Sequence, residues 1–162
     1  MYKINEKILY KRDVCIIKEI KEKYVNDQDY LFLTPISDQS LIIKIPKNSN
    51  FIRPLPTKEE VLDLIDSIPN IKEIDKDDKM LENLYKELLS TEELSDLIRI
   101  IKTCYIRNKK RVDSGKKIGD KDDTYFKKAE NYLYTTLSIP LNLSYDECKE
   151  YIIKTISEKE GQ

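Results

Sequence analysis

Histidine and tryptophan are absent from this 162-residue sequence, and glycine occurs only three times. Without histidine the chain lacks the commonest general base and metal ligand, which excludes every Ser–His or Cys–His nucleophile pair. Gly115, Gly119 and Gly161 cannot form a P-loop or the Gly-x-Gly-x-x-Gly turn of dinucleotide-binding folds. We therefore expect a binding protein that is not an enzyme and needs no cofactor.

Cysteine is scarce, and long apolar runs are missing. Cys15, Cys104 and Cys148 are odd in number and far apart, which fits neither a disulfide framework nor a zinc site. No stretch approaches the roughly 20 apolar residues of a transmembrane helix, and the first residues lack the apolar core of a signal peptide. We expect a cytoplasmic protein with reduced cysteines, no metal and no membrane partner.

The first part of the sequence predicts short β-strands separated by polar turns. Runs of β-branched and aromatic residues cover positions 8–10, 14–20, 30–33 and 41–45. A proline-rich stretch from Pro46 to Pro56 follows, which can continue neither a ladder nor a helix and so marks a boundary. The sequence thus predicts a small antiparallel sheet or barrel.

From residue 57 onwards the hydrophobic period changes from two to 3.6. Capping sequences predict helix starts at Thr57, Ser90, Asp120 or Asp123, and Ser144. A further apolar pattern near residues 78–89 predicts one more helix. The fold class is therefore α+β, with a β domain over residues 1–56 and an all-α helical bundle over residues 57–162.

Charge is unevenly distributed, although the net charge is only −1. Residues 57–98 carry 5 basic and 13 acidic side chains, whereas residues 99–134 carry 11 basic and 5 acidic ones. The best phosphate-binding candidates lie at one predicted helix end and in the loop beyond it: Arg107, Lys109, Lys110, Arg111, Lys116, Lys117 and Lys121. The alternative is a solvated surface, because the helix dipole also favours basic residues there.

Two aspartate clusters lie at residues 75–78 and 120–123. The first cannot be an EF-hand, because Met80 and Lys86 stand where that loop needs Gly and Glu. The second is interpreted as carboxylates at a helix start, where they interact favourably with the helix dipole. A hydrolase built on these clusters is a third hypothesis after the two binding functions given below.

The order of several segments carries a family resemblance. Residues 2–20 look like two paired strands, residues 42–46 like a strand that ends in proline, and residues 52–61 like an Arg-Pro turn with a helix behind it. The apolar spacing of residues 94–105 and 128–133 continues the pattern. In this order the chain resembles the CarD/CdnL family of bacterial RNA-polymerase-binding transcription regulators, whose amino-terminal module is shared with transcription-repair coupling factors.

The resemblance implies a Tudor-like or SH3-like barrel that docks on the β subunit of RNA polymerase, and a helical domain that contacts promoter DNA. An exposed strand edge offers unpaired N–H and C=O groups that a partner strand completes. We assign this edge to Leu41, Ile42, Ile43, Lys44 and Ile45. Lys44 is the charged residue that reads the partner, or, in the alternative, it is merely solvated while Ile43 and Ile45 face the core.

Three departures from the family pattern affect these expectations. Its Gly-Asp is Asn5-Glu6 here, and its His-Gly turn is replaced by Arg12-Asp13, which can change the turn geometry. The family commonly carries a tryptophan that enters the minor groove, and this chain has none. Promoter DNA contact is therefore expected to be mainly electrostatic and weak.

The leading prediction is a transcription regulator that docks on RNA polymerase and contacts promoter DNA. The alternative is an adaptor that keeps the polymerase-docking domain, while its helical domain binds another protein through the acidic surface of residues 57–98.

Overall fold

Five strands form one antiparallel sheet in the first of the two units into which the chain divides, Met1–Leu55. The strands are β1 (Lys7–Tyr10), β2 (Asp13–Val25), β3 (Gln28–Pro35), β4 (Ile43–Pro46) and β5 (Ile52–Pro54). They lie in the order β4-β3-β2-β1-β5, so three hairpins are followed by a connection that carries β5 to the far edge. The structure, a computed structural model, describes residues 1–160 of the chain.

One face of this sheet carries its apolar core, and Leu9, Val14 and Phe32 on the other face are also buried. Its core consists of Ile8, Cys15, Ile17, Leu31, Leu33, Ile45 and Ile52. The β2–β3 hairpin closes through Asn26 and Asp27, which have φ values of 50° and 62°. Two consecutive left-handed residues form the turn whose twist matches the paired strands, and Asn and Asp tolerate that conformation.

The turn before β1 uses asparagine where the resembling family has glycine. Asn5 has a φ of 72°, and its N–H donates to the Ile17 carbonyl at 2.7 Å. In the turn between β1 and β2, Lys11 has a φ of 55°. Both turns therefore adopt left-handed conformations without glycine; asparagine tolerates this conformation, and lysine adopts it less readily.

Hydrogen bonds do not close the sheet into a barrel. β4 and β5 are its two edges, and the pairings within residues 1–55, all of which are described, do not join them. Both edges are short and end in proline, Pro46 and Pro54. Proline lacks the N–H of a ladder and therefore occurs at sheet edges.

The second unit begins at Pro56 and is helical. Its helices are α1 (Lys58–Asp66), α2 (Asp78–Ser90), α3 (Leu94–Asp113), α4 (Asp120–Leu141) and α5 (Tyr145–Glu160), with one 3-10 turn at Ile68–Asn70. The α+β class, with a β part first and a helical part after it, is confirmed. In the described part of the chain, helices that could cross a lipid bilayer are absent, since none is both long and apolar enough.

Local capping signals predict two helix starts correctly. Thr57 Oγ1 accepts from the Glu60 N–H at 3.1 Å, and the Glu60 carboxylate accepts from the Thr57 N–H at 3.2 Å. Ser144 and Glu147 exchange the same pair of bonds at 3.0 and 3.1 Å. These reciprocal bonds satisfy N–H groups that have no partner inside the helix.

Two other predicted starts are wrong. Ser90 ends α2 rather than beginning α3, because its hydroxyl donates to the Glu87 carbonyl of the preceding turn at 2.7 Å. α3 starts at Leu94, and Glu93 is its N-cap. The N-cap of α4 is Gly119, so Asp120 and Asp123 lie inside the first turn instead of before it.

The apolar faces of the helices meet in one core. Fully buried members at helical spacing are Ile98 and Ile101 of α3, Leu133 and Leu137 of α4, and Ile152 and Ile156 of α5. Lys102 is only 5% exposed, and its ammonium group donates to the carbonyls of Ile68 and Ile71 at 3.1 and 2.9 Å. A buried cation needs such acceptors, and here they connect α3 to the 3-10 turn.

Candidate functional site

The first candidate surface is the edge strand β4. It pairs with β3 through Leu31↔Ile45, Phe32↔Lys44 and Leu33↔Ile43. The Lys47 N–H donates to the Asp29 carbonyl at 2.9 Å. In antiparallel sheets hydrogen-bonded and non-hydrogen-bonded pairs alternate, so Lys44 occupies a non-hydrogen-bonded position. The N–H and C=O of Lys44 therefore point outward from the sheet edge.

The side chains of the five predicted docking residues face different surroundings. Ile45 is buried in the sheet core and Ile43 packs partly against it, as the alternative assignment had it. Lys44 is exposed on the opposite face. Leu41 and Ile42 precede β4 and are 52% and 64% exposed. Three of the five side chains are thus accessible to a partner.

Sequence reasoning missed an aromatic patch on the outer face of the sheet, which comprises Lys21, Tyr24, Tyr30, Phe32 and Lys44. The Lys44 ammonium lies 5.2 Å from the Phe32 ring centre and 5.8 Å from that of Tyr24. Lys21 lies 5.3 Å from the same Phe32 ring. Such cation–π contacts hold an ammonium group over the ring face, so the lysine beside the free edge is oriented rather than loosely solvated.

The second candidate surface is the basic segment, defined here as residues 107–121. It begins in the last turns of α3, continues through a loop at residues 114–119, named here the lysine loop, and ends in the first turn of α4. Lys109, Lys110, Lys116 and Lys117 are exposed. Lys121 is also exposed but lies 3.3 Å from the Glu82 carboxylate. Four lysines are thus directly available for phosphate.

The two arginines of the basic segment have internal partners. Arg107 Nε and Arg111 Nη1 each donate to Asp122 Oδ2 at 2.8 Å, and the Tyr85 hydroxyl donates to Asp122 Oδ1 at 3.0 Å. Arg107 also pairs with Asp78 at 2.8 Å. We call Tyr85, Arg107, Arg111 and Asp122 the Asp122 cluster. It joins α2, α3 and α4, and it neutralises much of the charge that the two arginines would offer a ligand.

Burial in the Asp122 cluster is strong. Asp122 is 4% exposed, whereas its arginine partners are about a quarter exposed, at 24% and 26%. The hydrogen bond from Arg107, and then its charge, lowers the pKa of the exposed Asp78 carboxyl. Burial raises the pKa of the neighbouring Cys104 thiol to about 12. Because the thiolate is the reactive form, this cysteine is a core thiol rather than a nucleophile.

The aspartate clusters serve the fold. Asp77 Oδ1 caps α2 by accepting from the Met80 N–H at 3.1 Å, and Asp122 is the centre of the Asp122 cluster. Among the described residues, no group of three or more cysteine or acidic side chains is arranged to hold a metal ion. The sequence does contain a signal for the Asp122 cluster. Arg107 and Arg111 are one helical turn apart, so both side chains lie on one face of α3 and can bind the same carboxylate.

An acidic surface lies on α1. Its exposed side chains include Glu59, Glu60, Asp63 and Asp66, while Val61 and Ile65 face the core. None of these four carboxylates is in an ion pair with a described side chain that the structure records.

Comparison with known proteins adds no relative: no protein-family model matches the chain, and no curated protein matches its sequence.

Proposed function

We propose that this protein is a bacterial, cytoplasmic, non-enzymatic transcription regulator that docks on the β subunit of RNA polymerase through its β unit and contacts promoter DNA through its helical unit. The observation that carries the proposal is the position of β4. It is a sheet edge, and the residue whose backbone faces outward, Lys44, also carries the oriented ammonium group.

The strand order supports a Tudor-like or SH3-like arrangement. A meander of four strands is followed by a fifth strand that pairs with the first, β5 with β1. Only residues 47–51 connect β4 to β5, and a chain of that length spans at most about 20 Å. That length is about the width of five adjacent strands, so the connection runs directly from one edge strand to the other, as in a small, partly open barrel.

The backbone of β4 supports docking by strand addition. A partner strand completes the N–H and C=O of Lys44, while exposed Leu41 and Ile42 offer apolar contact beside it. Pro46 ends the edge, because it has no N–H and its carbonyl already accepts from the Ser49 N–H at 3.0 Å. The docking strand is therefore short, and its specificity rests on side chains.

Contact with DNA rests on the four exposed lysines of the basic segment. The chain has no tryptophan that could insert between bases. The four lysines therefore contact phosphates, and their binding to DNA does not depend on base sequence. Binding of the free protein is accordingly in the non-specific range of about 10⁻⁴ to 10⁻⁶ M at physiological salt. Docking on polymerase raises the local concentration of DNA and compensates for this weak contact.

Reversal of one charge tests the docking. Lys44→Glu is expected to weaken binding to purified RNA polymerase about tenfold or more, because it places a carboxylate at the centre of the interface. The substitution removes a cation–π contact at an exposed site, so the free energy of unfolding should change by no more than about 1 kcal/mol.

Lys18→Glu is the matched control for that experiment. Lys18 is exposed on β2, a central strand, so the same charge reversal leaves the free edge intact. Polymerase affinity measured by titration should be close to wild type for Lys18→Glu. Equal affinities for wild type and a folded Lys44→Glu variant would exclude β4 as the docking edge.

The acidic surface of α1 favours a second candidate function. Under this hypothesis the helical unit binds a lysine- and arginine-rich stretch of another protein, and the β unit still docks on polymerase. Four exposed carboxylates on one short helix support it, together with the internal neutralisation of Arg107 and Arg111. The two functions are distinguished by DNA binding: the transcription regulator requires the lysines of the basic segment for it, and the adaptor does not.

A further inference from the structure

Arg111 is bonded at both ends of the lysine loop. Its carbonyl accepts from the Lys116 N–H at 2.7 Å, inside the loop, and its guanidinium donates to Asp122, beyond the loop, at 2.8 Å. The backbone bond belongs to a helix-ending motif in which Gly115 has a φ of 76° and donates to the Val112 carbonyl at 3.0 Å. Arg111 thus holds the first half of the loop through its carbonyl and the first turn of α4 behind the loop through its guanidinium.

Gly119 makes the side-chain half of this arrangement possible. A Cβ atom at this position would overlap Arg111 Nη1 and would lie 2.8 Å from the Arg111 Cζ atom. The backbone φ of Gly119 is −72°, so conformation alone does not require glycine here. The Arg111 guanidinium occupies the space that a Cβ atom would take. A larger residue at this position displaces the end of the flexible Arg111 side chain, which carries the bond to Asp122.

We infer that Arg111, Gly119 and Asp122 form a clamp that positions the lysine loop for the DNA backbone, a role that rests on the DNA contact proposed above. With the clamp closed, Lys116 and Lys117 are held in a loop that starts directly beyond the exposed Lys109 and Lys110 of α3. The four ammonium groups then approach phosphates from an ordered surface, and little loop entropy is lost on binding. Arg111 is a positioning residue in this account, because its own charge is held by Asp122.

A competing role would be that Asp122 withholds the two arginines from DNA. The two roles predict opposite changes in DNA affinity when the clamp opens without a change of net charge. Loss of positioning weakens DNA binding, whereas release of withheld arginines strengthens it and makes its salt dependence steeper.

Two variants open the clamp and keep the net charge. Gly119→Ala displaces the guanidinium by steric overlap, and Arg111→Lys keeps the cation but loses the planar fork that reaches Asp122. Ser114→Ala controls for a small change in the same loop, since Ser114 is exposed. Arg107→Lys makes the same chemical change on the same carboxylate, but Arg107 has no bond to the loop.

The first measurement is trypsin cleavage after Lys116 and Lys117, followed by mass spectrometry on the folded full chain. Both clamp variants should be cut about tenfold faster than wild type, because loop opening becomes easier. Ser114→Ala and Arg107→Lys should be cut at close to the wild-type rate. Cleavage rates in Gly119→Ala and Arg111→Lys that equal the wild type would overturn the clamp.

The second measurement is the affinity of the same proteins for a duplex DNA fragment of arbitrary sequence. The clamp variants should bind about threefold more weakly for each phosphate that the loop lysines no longer neutralise. Tighter binding with a steeper salt slope would overturn positioning in favour of withheld arginines. Unchanged affinity, in a series where Lys109→Glu with Lys110→Glu weakens binding, would also overturn positioning but would leave the DNA contact standing. If the lysine pair has no effect either, the DNA contact itself fails, and the inference fails with it.

Discussion

Glu130 on α4 is the charged residue whose burial has the clearest consequence for stability. The side chain is 5% exposed, and its nearest cation is the half-exposed Lys149 of α5, at 3.7 Å. Burial raises the pKa of Glu130 above its usual value, and the Lys149 charge only partly opposes this rise. The folded state therefore binds the proton of Glu130 more tightly than the unfolded chain does.

The sign of the pH dependence follows. A carboxyl group whose pKa is raised by folding stabilises the folded state fully at pH values below its pKa in the unfolded chain. This stabilisation is lost as the pH rises through its pKa in the folded protein. Glu130→Gln should thus gain stability relative to wild type between about pH 5 and about pH 8. Urea unfolding at both pH values measures the difference. Glu150→Gln, at an exposed position of the same region, should show no such trend, and a parallel trend in both variants would contradict this explanation.

Individual residues also show where sequence reasoning ends. The place of Lys44 in an apolar run makes it a candidate, but its contact with Phe32 depends on the register between β3 and β4 and could not be derived locally. The assignment of Asp122 to a helix start is correct for its position in the chain. Its burial against two arginines required the packing of α3 on α4.

At the scale of single elements, the carboxyl end of α3 separates the two proposed functions. Lys109 and Lys110 are exposed there, without an acidic partner in the described part of the chain that the structure records. If they and the loop lysines neutralise three or four phosphates, log K should fall against log salt with a slope of roughly −3 to −4. A Lys109→Glu, Lys110→Glu double variant should neutralise about two phosphates fewer, which halves that slope.

The matched control for the double variant reverses two lysines outside the basic segment. Lys76 and Lys79 are exposed and precede or begin α2, so their reversal changes the net charge equally. Filter binding to duplex DNA at several salt concentrations gives both slopes. Equal slopes for the two double variants would mean that only net charge matters, which would favour the adaptor with its acidic surface.

Elements differ in how far local sequence determines them. The helices at Thr57 and Ser144 start where capping sequences predict, because both partners of each bond lie within four residues. The same logic fails at Ser90, where the preceding helix uses the serine hydroxyl. The positions of β1 to β4 follow from runs of β-branched and aromatic residues. The prediction that the proline-rich stretch from Pro46 to Pro56 continues no ladder is wrong, because β5 lies inside it and pairs with β1 at the sheet edge, where proline is tolerated. The irregularity between Ile17 and Glu19 depends on the facing strand β3 and leaves no local signal.

For the whole molecule, the α+β order is predictable, because a change of hydrophobic period at a proline-rich boundary is a property of sequence alone. The pairing that brings β5 back to β1 is not, since it joins residues more than 40 positions apart. The molecule carries one candidate contact surface on its first unit, the β4 edge, and two on its second, the basic segment and the acidic surface of α1. Under the proposed function, linkage through polymerase and its DNA would let the β4 edge and the basic segment act together.

Amide hydrogen exchange at Lys44, with and without RNA polymerase, tests the docking of the β4 edge most directly. In the free protein the Lys44 N–H points outward and should exchange fast, while the amides of Ile43 and Ile45 are held in the ladder with β3 and should exchange slowly. Addition of polymerase should slow exchange at Lys44 by about tenfold or more, because a partner strand then accepts its hydrogen bond. Fast exchange at Lys44 in a polymerase complex that has formed would contradict docking through β4.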